Sequence, residues 1–177
     1  MAVDEDPPGF REFVATRSPA LLRLAWMLTL DAGAAEDLLQ TALARTWPHW
    51  DRVAAGRPEA YVRQVMVRTA GSWRQRRWRG EVPAGRLPDV AGGDPTGGHD
   101  DRVVLAQALA ALPPGQRQVV VLRSYADLSE QEVAGLVGCS VGTVKSQASK
   151  GLARLRAALA GPTAPVLADV LEEGRPT

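Results

Sequence analysis

Cysteine occurs once in 177 residues, at Cys139, and histidine twice, at His49 and His99. One thiol excludes an internal disulfide and a cysteine-rich zinc centre. With two scattered histidines beside it, neither a metal nor any other cofactor is expected. No apolar run approaches the roughly twenty residues that cross a bilayer. The opening MAVDEDPPG lacks the basic-then-apolar layout of a secretory signal, so the expected compartment is the cytoplasm, with no membrane partner. An excess of charge of either sign is also missing. The formal net charge is +1, so affinity for nucleic acid has to come from local patches. Lysine is nearly absent; Lys145 and Lys150 are the only two, and the other basic residues are arginines. There is no Ser/His/Asp set, no phosphate-binding glycine loop and no carboxylate pair in a plausible pocket, so the chain is not expected to be an enzyme.

What is present is helical. Hydrophobic residues make up 45% of the chain, enough for one domain or two small ones with cores of their own. The stretch 127–156, DLSEQEVAGLVGCSVGTVKSQASKGLARLR, has the layout of a helix-turn-helix. Ser129 caps a first helix whose Val133, Ala134, Leu136 and Val137 point inward. Gly138 ends that helix where a positive φ is wanted, and Cys139 sits in the turn. Ser140 caps a second helix over about 141–159. Ala134 is small where the helices cross, and Val144 plugs back onto the first. Thr143, Lys145, Ser146, Gln147 and Ser149 cluster at the start of the second helix, where a recognition helix meets base edges. Lys150, Arg154 and Arg156 follow, with no acid between Ser140 and Leu159. An acid-free cationic helix suits a phosphate backbone. The plainer reading is a helical hairpin with a solvated charged face. Cys139 reads as a small buried thiol, with a redox sensor as the alternative.

Towards the N-terminus, residues 1–8 read as a disordered lead, and Phe10, Phe13 and Val14 as a short amphipathic helix. Ser18-Pro19 reads as a restart, with Ser18 the cap and Pro19 the first residue of an apolar helix over 20–30. A turn at 31–33 leads to a helix over 34–47. Its inner face is Ala35, Leu38, Leu39, Ala42 and Leu43; Asp37, Gln40, Thr41 and Arg45 form an outer stripe. By periodicity alone that stripe is a solvated face. Pro48 ends the helix. A loop is expected at 51–57, then a helix from Pro58 to Gly80 with Val62, Val65, Met66, Thr69 and Ala70 inside. Arg63, Arg74 and Arg77 share one of its faces. Arginines beside tryptophans suit a single strand, with guanidinium on phosphate and indole on base. Trp73 and Trp78 are equally readable as core, and Tyr61 reads as core. The stretch 81–101 is an acidic Gly/Pro tether, and 101–112 a helix carrying Leu105, Leu109 and Leu112. Pro113-Pro114-Gly115 breaks it. Val119-Val120-Val121 favours a strand by propensity, but a lone strand has no partner, so 116–125 is expected to be helical. A tail follows Gly161.

Three stretches carry a resemblance. ALPPGQRQVVVLRSYADLSEQEVAGLVGCSVGTVKSQASKGLARLR resembles region four of bacterial RNA polymerase sigma factors, in the extracytoplasmic-function (ECF) branch of the sigma-70 family. AAEDLLQTALARTW is similar to the region 2.2 helix, and PEAYVRQVMVRTAGSWRQRRWR to regions 2.3 and 2.4. The resemblance implies an all-α chain of two helical domains joined by a flexible linker. Its divisions would be region 2 at 9–80, a linker at 81–100, region 4 at 101–160 and a tail at 161–177. It implies core RNA polymerase (β′ and β subunits) and promoter DNA as partners, with an anti-sigma factor as a further candidate. Ser140, Thr143, Lys145, Ser146, Gln147 and Lys150 fall on positions that read the minus thirty-five element. Arg63, Arg68, Trp73, Arg74, Arg77 and Trp78 fall on positions that melt and hold the minus ten element. Asp37, Leu38, Gln40 and Thr41 fall on positions that dock on the β′ coiled coil. The chain departs from common family residues at Gln147, Thr41 and Arg68, where Arg, Glu and Asn are frequent. Gln suits adenine, whereas Arg suits guanine. Two other readings stand beside this one. A helix-turn-helix regulator acting without polymerase leaves the 34–47 and Trp/Arg helices unexplained; a sigma-like decoy would bind partners without initiating.

Overall fold

The Ser18-Pro19 pair does not restart the chain. In the computed structural model, which describes residues 6–78 and 99–160, helix α1 runs unbroken over Phe10–Thr29 with Pro19 inside it. Proline lacks the N–H for one helical bond, at a typical cost of ~3 kcal/mol. Packing on both sides of the break offsets it. Phe10 sets its ring edge-on to Trp50 at 5.0 Å, and Leu21, Leu24 and Ala25 are buried beyond it. The lead is ordered over residues 6–8, against expectation, because Trp47 Nε1 donates to Asp6 (3.1 Å) and Trp50 Nε1 to the Pro8 carbonyl (2.9 Å).

Leu30 ends α1 in the left-handed region (φ 57°), its N–H on the Trp26 carbonyl. Asp31 then caps α2 (Ala32–Thr46) by accepting from the Ala34 N–H at 2.7 Å. After a 3₁₀ turn at Trp47–His49, α3 (Trp50–Ala54) takes up much of the expected 51–57 loop. One helical turn is what sets Trp50 and Val53 side by side on the buried face. Helix α4 (Pro58–Trp78) follows, burying Val62, Met66, Val67 and Thr69.

The C-terminal half is α5 (His99–Ala110), α6 (Pro114–Ser124), α7 (Glu130–Val137) and α8 (Val141–Leu159). Helix α5 opens two residues inside the expected linker; the rest of that linker and the 161–177 tail lie outside the described residues. Helix α6 is central. Gln118, Val119, Val120, Val121 and Leu122 are all buried in succession, because α8, α7 and α1 surround it. That is why three adjacent valines make a helix here: every side of it has an apolar neighbour.

The two halves share one core. Leu21, Leu24, Leu38 and Met66 belong to the same apolar cluster as Leu109, Leu122, Val133 and Val144. Among the described residues no helix is long and apolar enough to cross a membrane.

Candidate nucleic-acid and polymerase interfaces

The α7–turn–α8 unit is built as its residues dictate. Ser129 and Glu132 form a reciprocal capping box: the Glu132 N–H donates to Ser129 Oγ (3.2 Å), and the Ser129 N–H donates to Glu132 Oε2 (2.7 Å). Gly138 turns the chain at φ 76°, its N–H on the Ala134 carbonyl. Ser140 Oγ accepts from the Thr143 N–H and starts α8. Val144 is fully buried and Ala134 nearly so. Cys139 is half-buried.

Glu132 has its carboxyl held below the ordinary glutamate range, first by the Ser129 side chain and then by the Ser129 N–H. A lowered value in the fold means stability that is complete above about pH 4.3 and lost as the pH falls through the folded value. Ser129→Ala is expected to cost ~1 kcal/mol at neutral pH and to flatten the acid limb below pH ~4. Urea unfolding between neutral and acid pH measures both.

Five of the six candidate upstream residues line one open cleft of about 560 Å³: Ser140, Thr143, Ser146, Gln147 and Lys150. Pro113, Gly115 and Gln116, around the first turn of α6, form its other side. Lys145 lies off this cleft, exposed, 3.6 Å from Glu130. Gln147 is tucked in: a Cβ placed on Gly115 would stand 2.7 Å from its Oε1. Gly115 therefore makes the room in which the Gln147 amide rests. Sequence reading missed this partner, along with Gly151, whose missing side chain lets α8 cross α6 closely.

The candidate downstream residues are not free of the C-terminal half. Arg63 bonds Glu59 and reaches the Ala126 carbonyl at 3.4 Å. Arg74 Nη1 donates to Gln118 Oε1 at 2.7 Å. Trp73 is half-buried against the shared core. Arg68 is exposed. Arg77 and Trp78 fall in α4, but their side chains lie outside the described residues. Arg117 has its guanidinium value lowered, first by burial and then by the charge of Arg74.

On α2, Asp37 and Gln40 are exposed and Thr41 is half-buried. Leu38 is different. It is 0% exposed, packed in the core, so its side chain orients the helix and offers nothing to a partner. Asp37 shares a second cleft, about 420 Å³, with Trp73 and Arg74 on one side and Pro114, Arg117 and Gln118 on the other.

Residues 13–80 match the family described as Sigma-70 region 2, and residues 102–155 the one described as Sigma-70, region 4. The RNA polymerase sigma-E factor of Streptomyces avermitilis is 48% identical over 148 residues, which is 83% of this chain and 83% of that protein. The chain belongs to the sigma-70 family. The ECF RNA polymerase sigma factor SigL of Mycobacterium tuberculosis, 31% identical over 78% of this chain and 82% of its own, places it in the ECF branch. Among solved structures, the sigma factor RpoE in complex with the anti-sigma factor NepR from Bartonella quintana superposes with a TM-score of 0.70. That match has 26% identity and covers 86% of this chain and 98% of the other. The activity of this sigma factor is to direct core RNA polymerase to promoter DNA for transcription initiation.

Proposed function

We propose that this sigma factor reads a promoter with two separate helical surfaces and docks on polymerase with a third. The N-terminal module spans about 9–80 and the C-terminal one about 101–160, joined by 81–100, with 161–177 a tail. The α8 cleft takes the upstream duplex. Ser140, Thr143, Ser146, Gln147 and Lys150 converge on it, and this convergence is the observation that carries the reading. The N-terminal end of α8 is the part that enters a major groove, and Lys145 and Lys150 supply phosphate contacts. Helix α4 holds the downstream single strand through Arg63, Arg68, Arg74 and Arg77, with Trp73 and Trp78 as stacking surfaces. Asp37, Gln40 and Thr41 meet the β′ subunit. The chain works in the cytoplasm and does no covalent chemistry; RNA synthesis belongs to the core enzyme. An anti-sigma factor, the partner in the Bartonella complex, is a further partner of the same class.

Replacing Asp37 and Gln40 by alanine is expected to weaken association with core polymerase about tenfold, the loss of ~1.4 kcal/mol at an interface edge. Binding to upstream duplex should stay unchanged. Co-purification and fluorescence anisotropy measure the two. The overall reading is tested by run-off transcription with core polymerase from a related bacterium on a library of promoter fragments. Start sites that depend on this chain are the expected result. Co-purification without transcripts would favour a decoy, and DNA binding that ignores polymerase would favour a free-standing regulator.

A further inference from the structure

Helices α6 and α8 meet through two glycines. At Gly151, on α8, the space is closed by Val120 and the Gln116 backbone. At Gly115, on α6, the space holds the movable end of a side chain. The three heavy atoms nearest to a Cβ placed there all belong to the Gln147 carboxamide: Oε1 at 2.7 Å, Nε2 at 3.3 Å and Cδ at 3.4 Å. Gln147 lies one helical turn before Gly151, on the same face of α8.

Two observations say that this room serves the side chain. The first is the Gly115 backbone. Among the described residues the glycines with positive φ are Gly9 and Gly138, so position 115 asks for no left-handed conformation. Gly115 is the second residue of α6, where most other residues would favour the helix more. The second is the Gln147 amide itself. Its Oε1 is shut off from solvent and, alone among the buried side-chain polar atoms of the described residues, has no hydrogen-bond partner. A buried acceptor without a donor is costly. The withdrawn pose therefore rests on packing, and reaching out gives the amide back its hydrogen bonds.

Reaching out suits one base. Against adenine, Nε2 donates to N7 and Oε1 accepts from the N6 amino group. Guanine offers two acceptors, N7 and O6, and leaves Oε1 without a donor. With room beside Gly115, the amide can withdraw from such a base instead of facing it unpaired.

We propose that Gly115 is a specificity-determining residue of upstream reading: it gives the Gln147 amide a place to withdraw, and so makes the factor permissive at the base pair that Gln147 faces. The proposal rests on the assignment of α8 to the upstream duplex. Two roles separate. Gln147 sets which base is preferred. Residue 115, acting through Gln147, sets how strongly a wrong base is refused, because a side chain there removes the retreat.

The test uses four full-length proteins: the unvaried chain, Gly115→Ala, Gln147→Ala and the double variant. Duplexes of the upstream element recovered by run-off transcription, each changed at one base pair, are compared by anisotropy titration. The pair facing Gln147 is the one whose adenine preference Gln147→Ala removes, in the unvaried or the Gly115→Ala background. There, Gly115→Ala is expected to raise the preference for adenine over guanine roughly three- to tenfold, through weaker binding of the wrong base. Preferences at the other pairs should stay as they were, and adding Gly115→Ala to Gln147→Ala should change nothing. If Gly115→Ala leaves the preference unchanged, or alters it equally with and without the Gln147 side chain, the proposal is overturned. If the proteins bind the element specifically but no pair responds to Gln147→Ala in either background, the proposal is overturned and the α8 assignment stands. If none of the four tells the element from scrambled duplex, the α8 assignment fails and the proposal falls with it. Far-UV circular dichroism checks the fold. A Gly115→Ala protein that loses helix content is replaced by Gly115→Ser, for which the same direction of change is required.

Discussion

Placing one methyl group on Gly151 is expected to destabilise the chain, although the same change in an ordinary helix does the opposite. Glycine inside a helix costs ~1 kcal/mol relative to alanine, so Gly→Ala at a free position is a gain. Gly135, in α7, is such a position: nothing lies within 4 Å of where its Cβ would be. Gly151 is buried under α6. Its Cβ would stand 2.6 Å from Val120 Cγ2 and 3.3 Å from the Gln116 carbonyl oxygen. Val120 is β-branched and 3% exposed, so it cannot swing away, and the carbonyl belongs to the α6 backbone. Overpacking of this kind costs ~1–3 kcal/mol and outweighs the helical gain. The expected result is that Gly135→Ala raises the thermal midpoint and Gly151→Ala lowers it, with the overpacking cost of ~1–3 kcal/mol between the two variants. Thermal unfolding followed by circular dichroism measures both. Equal shifts would mean that α8 does not lie this close to α6.

Removing Lys145 and Gln147 together is expected to abolish most of the affinity for the upstream element. A glutamine set bidentate on a base discriminates by ~1–3 kcal/mol, and a lysine on phosphate adds roughly another 1 kcal/mol. The sum is roughly 2–4 kcal/mol, a loss of about 30-fold to a thousandfold. The two components separate by salt. Lys145→Ala should lower the slope of log affinity against log salt by about 0.9, whatever the sequence. Gln147→Ala should leave the slope unchanged and relax the choice of base. Anisotropy titrations at several salt concentrations, on matched and scrambled duplexes, read both. Collapse of polymerase binding instead would place the docking surface on the wrong half of the chain.

The sequence was most legible where structure is local. The α7–turn–α8 unit could be read from Ser129, Gly138, Ser140, Ala134 and Val144 because caps, a positive φ and a close crossing each demand a residue type within a few positions. Of the polar cluster read at the start of α8, Thr143, Ser146 and Gln147 line the α8 cleft, while Lys145 and Ser149 lie off it. Pro19 misled because its cost is local while the compensation, Phe10 on Trp50, comes from residues forty positions apart. The 51–57 stretch misled because Trp50 and Val53 need a helical turn only once Phe10 is there to cover. Leu38 carried two readings, inner face and docking position, and its complete burial supports the first. Gly115 was readable only as part of a helix break, and the partners of Gln118, Tyr125 and Gly151 gave no signal, since each acts on an element distant in sequence. Their meaning lies in packing between helices, which periodicity within one helix does not encode.

Gln147 resting in the space left by Gly115 has a consequence for exchanging promoter preferences between related factors. Transplanting α8 alone would carry Gln147 and Gly151 into a host whose α6 was shaped for other side chains. A host with a larger residue at position 115 would force the Gln147 amide outward, and one with a bulkier residue at position 120 would push the graft off its seat. Helices α6 and α8 therefore form the smallest unit that can be swapped while keeping its reading geometry. An orthogonal factor assembled from this chain should inherit residues 114–159 as a single cassette.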